Sequence, residues 1–250
     1  MWSLFLVSFL SLLSQLATAG IPDSFTQKNI NYRTYIGECP NKSSTSFAMI
    51  VMKEFEKAHS LKDVKEKIVN EKLEEKHFLS DYRISYNPVI KTLKINLECP
   101  QPLVKVQVYK SNGEEHYSAI LGDNSKMYEP GYENLMQVEK KLNHNLPLLA
   151  ISMAQLDGDA PTNLVNFIKL MEKDLRSQIS EIIISKNNDL TIVFALSGKA
   201  TSVFMGAELW DEKLTKLSKV IGYIQKTKRY PNSINLVNAK KVVVKFSDSI

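Results

Sequence analysis

The chain is short of the residues from which most catalytic and metal sites are built. Four histidines, His59, His77, His116 and His144, are scattered over 250 residues. They show no HExxH or His-x-His spacing, so the sequence predicts no metal ion. There is no GxSxG elbow for a serine nucleophile. The nearest thing to a phosphate loop, Ser197-Gly198-Lys199-Ala200-Thr201, lacks the upstream glycine, carries alanine after its lysine and leads into no helix. It reads as a β-turn. Asp157-Gly158-Asp159 lacks the glutamate of a calcium loop and reads as a helix-start turn. Trp210 and Tyr223 read as core residues rather than ligand platforms. No catalytic residue and no cofactor is expected. Nine glycines and nine prolines, without period or cluster, exclude collagenous and low-complexity chains.

Cysteine is confined to Cys39 and Cys99. In an oxidising compartment two cysteines imply one disulfide, and closing a loop of about 60 residues stabilises by roughly 4 kcal/mol in the chain-entropy picture. Two buried, unpaired thiols are the alternative.

Charge is missing from the first 22 residues. Trp2 to Leu13 is apolar throughout but for serines, and Ala17-Thr18-Ala19 followed by Gly20 is a small-x-small cleavage pattern. Residues 1–19 therefore read as a signal peptide cut between Ala19 and Gly20, or as a retained N-terminal membrane anchor. Either way the rest of the chain is exported. No later apolar stretch reaches the ~18 residues of a membrane span. The net charge of +5 and pI of about 8.9 are carried largely by Lys140-Lys141, Lys226-Thr227-Lys228-Arg229 and Lys240-Lys241. These read as solvated faces, compatible with an anionic membrane surface; nucleic acid is not an expected partner of an exported chain.

What is present is a mixture of helical and strand periodicities. Residues 20–45 read as an irregular lead-in. Phe47 to Met52 is apolar and suits a buried strand or a helix start. Ser60 begins a capping box for an amphipathic helix over 60–76, with Leu61, Val64, Ile68 and Leu73 on its stripe. Residues 82–97 alternate as a hairpin turned at Asn87-Pro88, and Cys99-Pro100-Gln101-Pro102 stops its second strand. Strands over 104–109 and 115–121 follow. A connector over 122–131 reads as the seam between two units. Beyond it come a helix with Tyr132, Leu135, Val138 and Leu142 on one face, an outlet at Leu146 to Leu149, and a helix bearing Leu164, Val165, Phe167, Ile168, Met171 and Leu175. Strands over 181–185, 190–196 and 201–204 precede a helix over 208–225 facing inward through Trp210, Leu214, Leu217, Ile221 and Ile224. The chain closes on two strands, Ile234 to Val237 and Val242 to Phe246. The class is α+β.

The last strand is unusual for its place. A terminal strand is commonly an edge, and edges are commonly blunted by charge or proline; this one is Val242-Val243-Val244.

In this order, several segments resemble the extracytoplasmic part of the bacterial division proteins FtsQ and DivIB. Tyr86 to Leu97 resembles that family's POTRA hairpin, and Leu146 to Leu149 the segment opening its β domain. Val203 to Gly206 with Trp210 to Leu217 resembles the strand, glycine and helix near its end. Ile234 to Val237 and Val242 to Phe246 resemble its final strand pair. Asn235 and Val237 stand where the family carries an acidic residue and an arginine. The resemblance implies a POTRA-like domain over 46–121 followed by a mixed β-sheet domain over 122–250 with helices packed on it. It implies a periplasmic or inner-membrane-anchored, non-enzymatic scaffold. Its partners would be small bitopic division proteins like FtsB and FtsL, bound by strand addition at the C-terminal sheet edge through Asn238, Val242, Val244 and Phe246. Two other readings use the same residues: a POTRA-type module that binds unfolded polypeptide in envelope assembly, and a secreted enzyme on an α+β fold.

Overall fold

The structure, a computed structural model, describes residues 30–110, 112–156 and 158–246. The signal or anchor segment and its Ala19–Gly20 junction lie outside the described residues, as does Asp157. The fold is mixed α and β and contains two sheets.

The first sheet has three strands: β1 (Asn31–Tyr35), β2 (Asp81–Asn87) and β3 (Thr92–Glu98), in the order β1-β3-β2. β3 is central, parallel to β1 and antiparallel to β2. Against it pack α1 (Asn41–Ala58), α2 (Leu61–Asn70) and the single turn α3 (Leu73–Lys76). Phe47, Val51 and Phe55 recur at helical spacing on α1 and are each at most 2% exposed. Burying such side chains stabilises by about 1.5–3 kcal/mol apiece. Phe47 to Met52 is therefore helix, not strand: its apolar positions continue the 3.6-residue stripe to Phe55, and the tertiary core selects it. The helix foreseen over 60–76 is broken at Lys72, which adopts φ 51°. Ser60 does cap α2, accepting from the Asp63 N–H at 3.3 Å. The foreseen lead-in contains β1, whose polar sequence NYRTY gives no strand signal because only Tyr32 is drawn towards the core.

The second sheet has nine strands: β4 (Pro102–Tyr109), β5 (Glu115–Gly122), β6 (Met127–Tyr128), β7 (Leu148–Ser152), β8 (Ile179–Ile184), β9 (Leu190–Leu196), β10 (Lys199–Gly206), β11 (Ser233–Asn235) and β12 (Val243–Lys245). Their order is β12-β11-β10-β9-β8-β7-β4-β5-β6. β4, β7 and β8 are mutually parallel, as are β10 and β11; the other pairs are antiparallel. β4 and β5 thus belong to the large sheet. The break between sheets falls at residues 99–101, not at 122–131, where the chain merely turns from β5 into β6. Pro100 and Pro102 mark the true break, since proline has no N–H to give a ladder and is tolerated at a strand start.

Between these strands lie α4 (Gly131–Val138), the turns α5 (Met153–Leu156) and α7 (Lys173–Arg176), and the helices α6 (Ala160–Leu170) and α8 (Trp210–Thr227). α6 and α8 cover one face of the sheet, burying Leu164, Phe167, Leu217 and Ile221 against Val106, Ile182, Ile192 and Val203. Tyr223 lies off this stripe and is 66% exposed, so it is not core. α4 covers the opposite face at the β5–β6 end, packing Tyr132 and Met136 with Ile120 of β5. Its foreseen stripe is rotated: Val138 is 80% exposed and Glu133 is buried, where it pairs with Lys105 at 3.0 Å.

The two units are joined at this end. Cys39 and Cys99 form a disulfide, Cα–Cα 5.1 Å, tying the approach to α1 to the end of β3. Tyr132 is fully buried, stacks on Phe78 with centroids 4.7 Å apart, and donates its hydroxyl to the Pro100 carbonyl at 2.5 Å. Burial pushes its phenol pKa up, so the hydroxyl remains a donor. Glu139 reaches across to accept from the Asn41 and Lys42 amides at 2.5 and 3.0 Å. These are orphan donors at the start of α1, which has no capping side chain of its own. Lys141 donates to the Cys39 carbonyl beside them.

Candidate functional site

The candidate site is the β12 edge of the large sheet. Among the described residues β12 pairs with β11 alone, in the register Ser233↔Lys245, Ile234↔Val244 and Asn235↔Val243. The direction of each backbone group follows from the neighbouring ladder. The Leu236 N–H donates to the Phe204 carbonyl at 2.8 Å, and the Ser202 N–H to the Asn232 carbonyl at 3.0 Å. Within β11, Ile234 therefore faces β10, and Ser233 and Asn235 turn towards β12. Their partners Lys245 and Val243 face back, and the Lys245 carbonyl accepts from the Asn232 N–H at 2.9 Å. By the same alternation the Val244 N–H and C=O point away from the sheet. That is the geometry a further strand uses to join.

The side chains alternate across this strand. Val242 and Val244 are half-buried; Val242 packs on the main core and Val244 lies opposite the fully buried Ile234. Phe246 is 37% exposed and sits under the Arg229 guanidinium, 5.0 Å from its ring centroid. Asn238 is exposed in the β11–β12 turn. Its side chain accepts from the Lys240 N–H at 2.9 Å and its carbonyl from the Lys241 N–H at 3.1 Å. Lys216 of α8 holds the Ala239 carbonyl, so the turn is pinned to the helix behind it.

Val243, which the sequence reading passed over, is 48% exposed on the uncovered sheet face. The register places it in one row with Asn235, Phe204, Thr191 and Ile183. Phe204 and Ile183 are 40% and 37% exposed. The signal for this open apolar row was faint, because β8 and β12 read as continuous apolar runs and hide which residue faces out.

The other edges are managed differently. β1 carries Arg33, and β2 carries Asp81 and Arg83, all exposed. β6 is two residues long. Only β12 presents a run of valines.

Elsewhere, a cavity of about 920 Å³ opens where β4, β7 and β8 end and α6 begins. Among the described residues Asp159 is the one carboxylate lining it, and no histidine or cysteine does. Ser152 there donates to Gln155 at 2.7 Å. Ser197 and Gly198 form the β9–β10 turn with φ 49° and 80°, a hairpin conformation rather than a phosphate cradle. Trp210 is half-buried, donating its indole N–H to the Gly206 carbonyl at 2.8 Å and meeting Phe167 edge-on at 5.8 Å. Among the described residues no group of three histidine, cysteine, aspartate or glutamate side chains is placed to hold a metal ion, and no helix is long and apolar enough to cross a membrane. No protein-family model and no curated protein matches the chain.

Proposed function

We propose that this chain is a non-enzymatic, exported scaffold of the FtsQ/DivIB kind. In this reading β12 accepts a strand from a small bitopic division protein like FtsB or FtsL and so helps regulate septal peptidoglycan synthesis. The carrying observation is the outward Val244 N–H and C=O on an apolar edge strand pinned from behind. Main-chain bonds at such an edge supply affinity, and alternate side chains, here Val242, Val244 and Phe246 with Asn238 at the turn, supply selectivity. Two further features support the reading. The first unit runs strand, two helices, strand, strand in the order β1-β3-β2 and contains as β2 and β3 the hairpin that resembles the POTRA hairpin. A mixed sheet with its last two strands at one end follows it.

The test is a pair of proline substitutions compared by cross-linked pull-down from cells. Val244→Pro removes a donor that faces outward, a position where an edge strand tolerates proline. Val243→Pro removes a donor that faces β11. The reading expects Val244→Pro to keep its melting temperature and lose the small coiled-coil partners. Retained capture by a folded Val244→Pro protein sinks it. Capture of unfolded outer-membrane strands in place of division proteins would transfer the same edge to envelope assembly.

A further inference from the structure

An unpaired apolar edge is a hazard to the chain that carries it, because it templates pairing with strands that meet it. One such strand is the β12 of a second copy. Whether two copies fit together follows from the register, because the outward phase of Val244 and the alternation of side chains are both fixed.

Antiparallel pairing of two identical edges places a two-fold axis along the sheet normal, so both helix-covered faces stay on one side. Three such registers are centred on a residue of β12 (Val243–Lys245). Centring on Val243 sets Lys241 directly against Lys245 of the second copy. Centring on Lys245 sets the two Lys245 side chains against each other. Like charges directly opposite destabilise a strand pair. Centring on Val244 avoids both oppositions: Val244 faces itself, Val242 faces Phe246, and Val243 faces Lys245. The two Val244 residues, whose N–H and C=O point outward, then form a close pair that exchanges both main-chain bonds.

The side chains agree with that register. On the covered side it lays Val242, Val244 and Phe246 of one copy against Phe246, Val244 and Val242 of the other, an unbroken apolar row. In the single chain the two valines are half-buried and Phe246 is 37% exposed. On the uncovered side Val243, 48% exposed, meets the alkyl stem of Lys245. The pairing uses the same patch on both copies, so it closes at two and leaves no β12 edge to grow from. It is also loose. Each chain carries a net charge of +5, and Arg229, Lys240 and Lys241 lie exposed near this edge. Two such edges repel through solvent, and salt relieves the repulsion.

We propose that two copies of this chain pair β12 to β12, antiparallel and centred on Val244, and that each copy closes the other's docking edge until a partner strand displaces it. The inference rests on the reading of β12 as a docking edge.

The full chain, purified in a mild non-ionic detergent, is followed by sedimentation velocity over a concentration series, with circular dichroism to establish that each variant is folded. The expected result is a reversible dimer. Val243→Lys opposes two like-charged pairs at once and should weaken the dimer by about tenfold. Adding Lys245→Glu to that variant should restore it. Under mild oxidation Val244→Cys should cross-link to itself, since bonded antiparallel partners lie about 5.5 Å apart at Cα, within reach of a disulfide. Val243→Cys should join Lys245→Cys in preference to itself. Cys39 and Cys99 are already joined and take no part. The dimer locked through Val244→Cys should capture no division partner from cells. Sedimentation as a monomer throughout the series overturns the proposal. So does a dimer indifferent to Val243→Lys, which lies on another surface, and so does self-cross-linking of Val243→Cys in preference to Lys245→Cys, which is another register. Capture by the locked dimer equal to that of the wild type overturns the closing of the edge. Failure of the docking reading itself is separate from all of these: it shows as retained capture by the folded Val244→Pro chain.

Discussion

The two ends of the nine-stranded sheet are opposites. At one end β6 is reduced to Met127 and Tyr128, with α2 and α3 of the first unit alongside in a groove lined by Ile68, Leu79, Met127 and Tyr128. A buried tyrosine and a borrowed helix cap weld that end to its neighbour, beside the disulfide that ties the approach to α1 to the end of β3. At the other end β12 is pinned from behind and left open in front. Both ends are edges, and an edge in water costs little; the hazard is unwanted pairing. These contacts all lie at the end that adjoins the first unit. The open end is kept in place by a core valine, a lysine on a carbonyl and an arginine over a ring. A docking strand needs that combination: rigid enough to present its groups, yet with one side unpaired.

The largest effect expected at the welded end is loss of the disulfide. Replacing Cys39 and Cys99 together by serine should lower stability by roughly 4 kcal/mol, read by urea unfolding, while partner capture by the folded protein is retained. Loss of capture in a folded double variant would break the comparison, because it would show the two ends to be coupled. Next is Tyr132→Phe. It strands the buried Pro100 carbonyl and should cost about 1–3 kcal/mol. Glu139→Ala leaves two first-turn amides of α1 uncapped and should cost about 0.5–2 kcal/mol, typical of a lost helix cap. Hydrogen exchange in the first turn of α1 should rise in that variant and stay unchanged in β11.

Much of this architecture could be read from the chain, and the failures share a cause. α6, α8 and the strands from 179 to 206 follow their apolar periodicity because each buries one face against a single core. The misread elements bury something periodicity does not report. Phe47 to Met52 was left between strand and helix start because its neighbours Ser43 and Ser44, also buried, hide the helical stripe that leads into it. β1 is a polar parallel edge, specified by pairing with β3 and not by its own residues. The break at 99–101 was masked because β4 follows β3 with similar alternation, although Pro100 and Pro102 signalled it. Of the site, the terminal strand and its partner were legible. The outward phase of Val244 and the row from Val243 to Ile183 were not, since both depend on registers between strands far apart in sequence.

A smaller effect sharpens the comparison from the open side. Val243→Thr keeps the β-branched shape and alters only an exposed position, so stability should move by no more than about 0.5 kcal/mol. If the uncovered face supports the incoming strand, partner affinity should fall by more than stability does. Equal affinity by titration calorimetry would confine the interaction to the strand edge itself.

The finest distinction concerns pH. His77 lies at the welded end, beside Phe78. Its Nδ1 is 3.3 Å from the Ser43 hydroxyl, which donates to the His77 carbonyl at 2.9 Å, and its ring meets Phe47 edge-on at 5.8 Å. Burial lowers its pKa below the ordinary histidine value, and nearby Lys76 pushes the same way, against the Ser43 hydrogen bond. The folded state therefore binds the proton less readily than the unfolded chain does. Stability associated with this group is complete above the unfolded value of about 6.5 and is lost as pH falls through and below it. The melting temperature should drop between about pH 7 and pH 5 by more than in His77→Gln, whose side chain does not titrate in that range. Carboxylate titration contributes to both profiles equally, so the difference between them isolates the histidine. A wild-type profile parallel to that of His77→Gln would show that protonation at the weld is carried without cost, and the welded end would then differ from the open one in cross-linking alone.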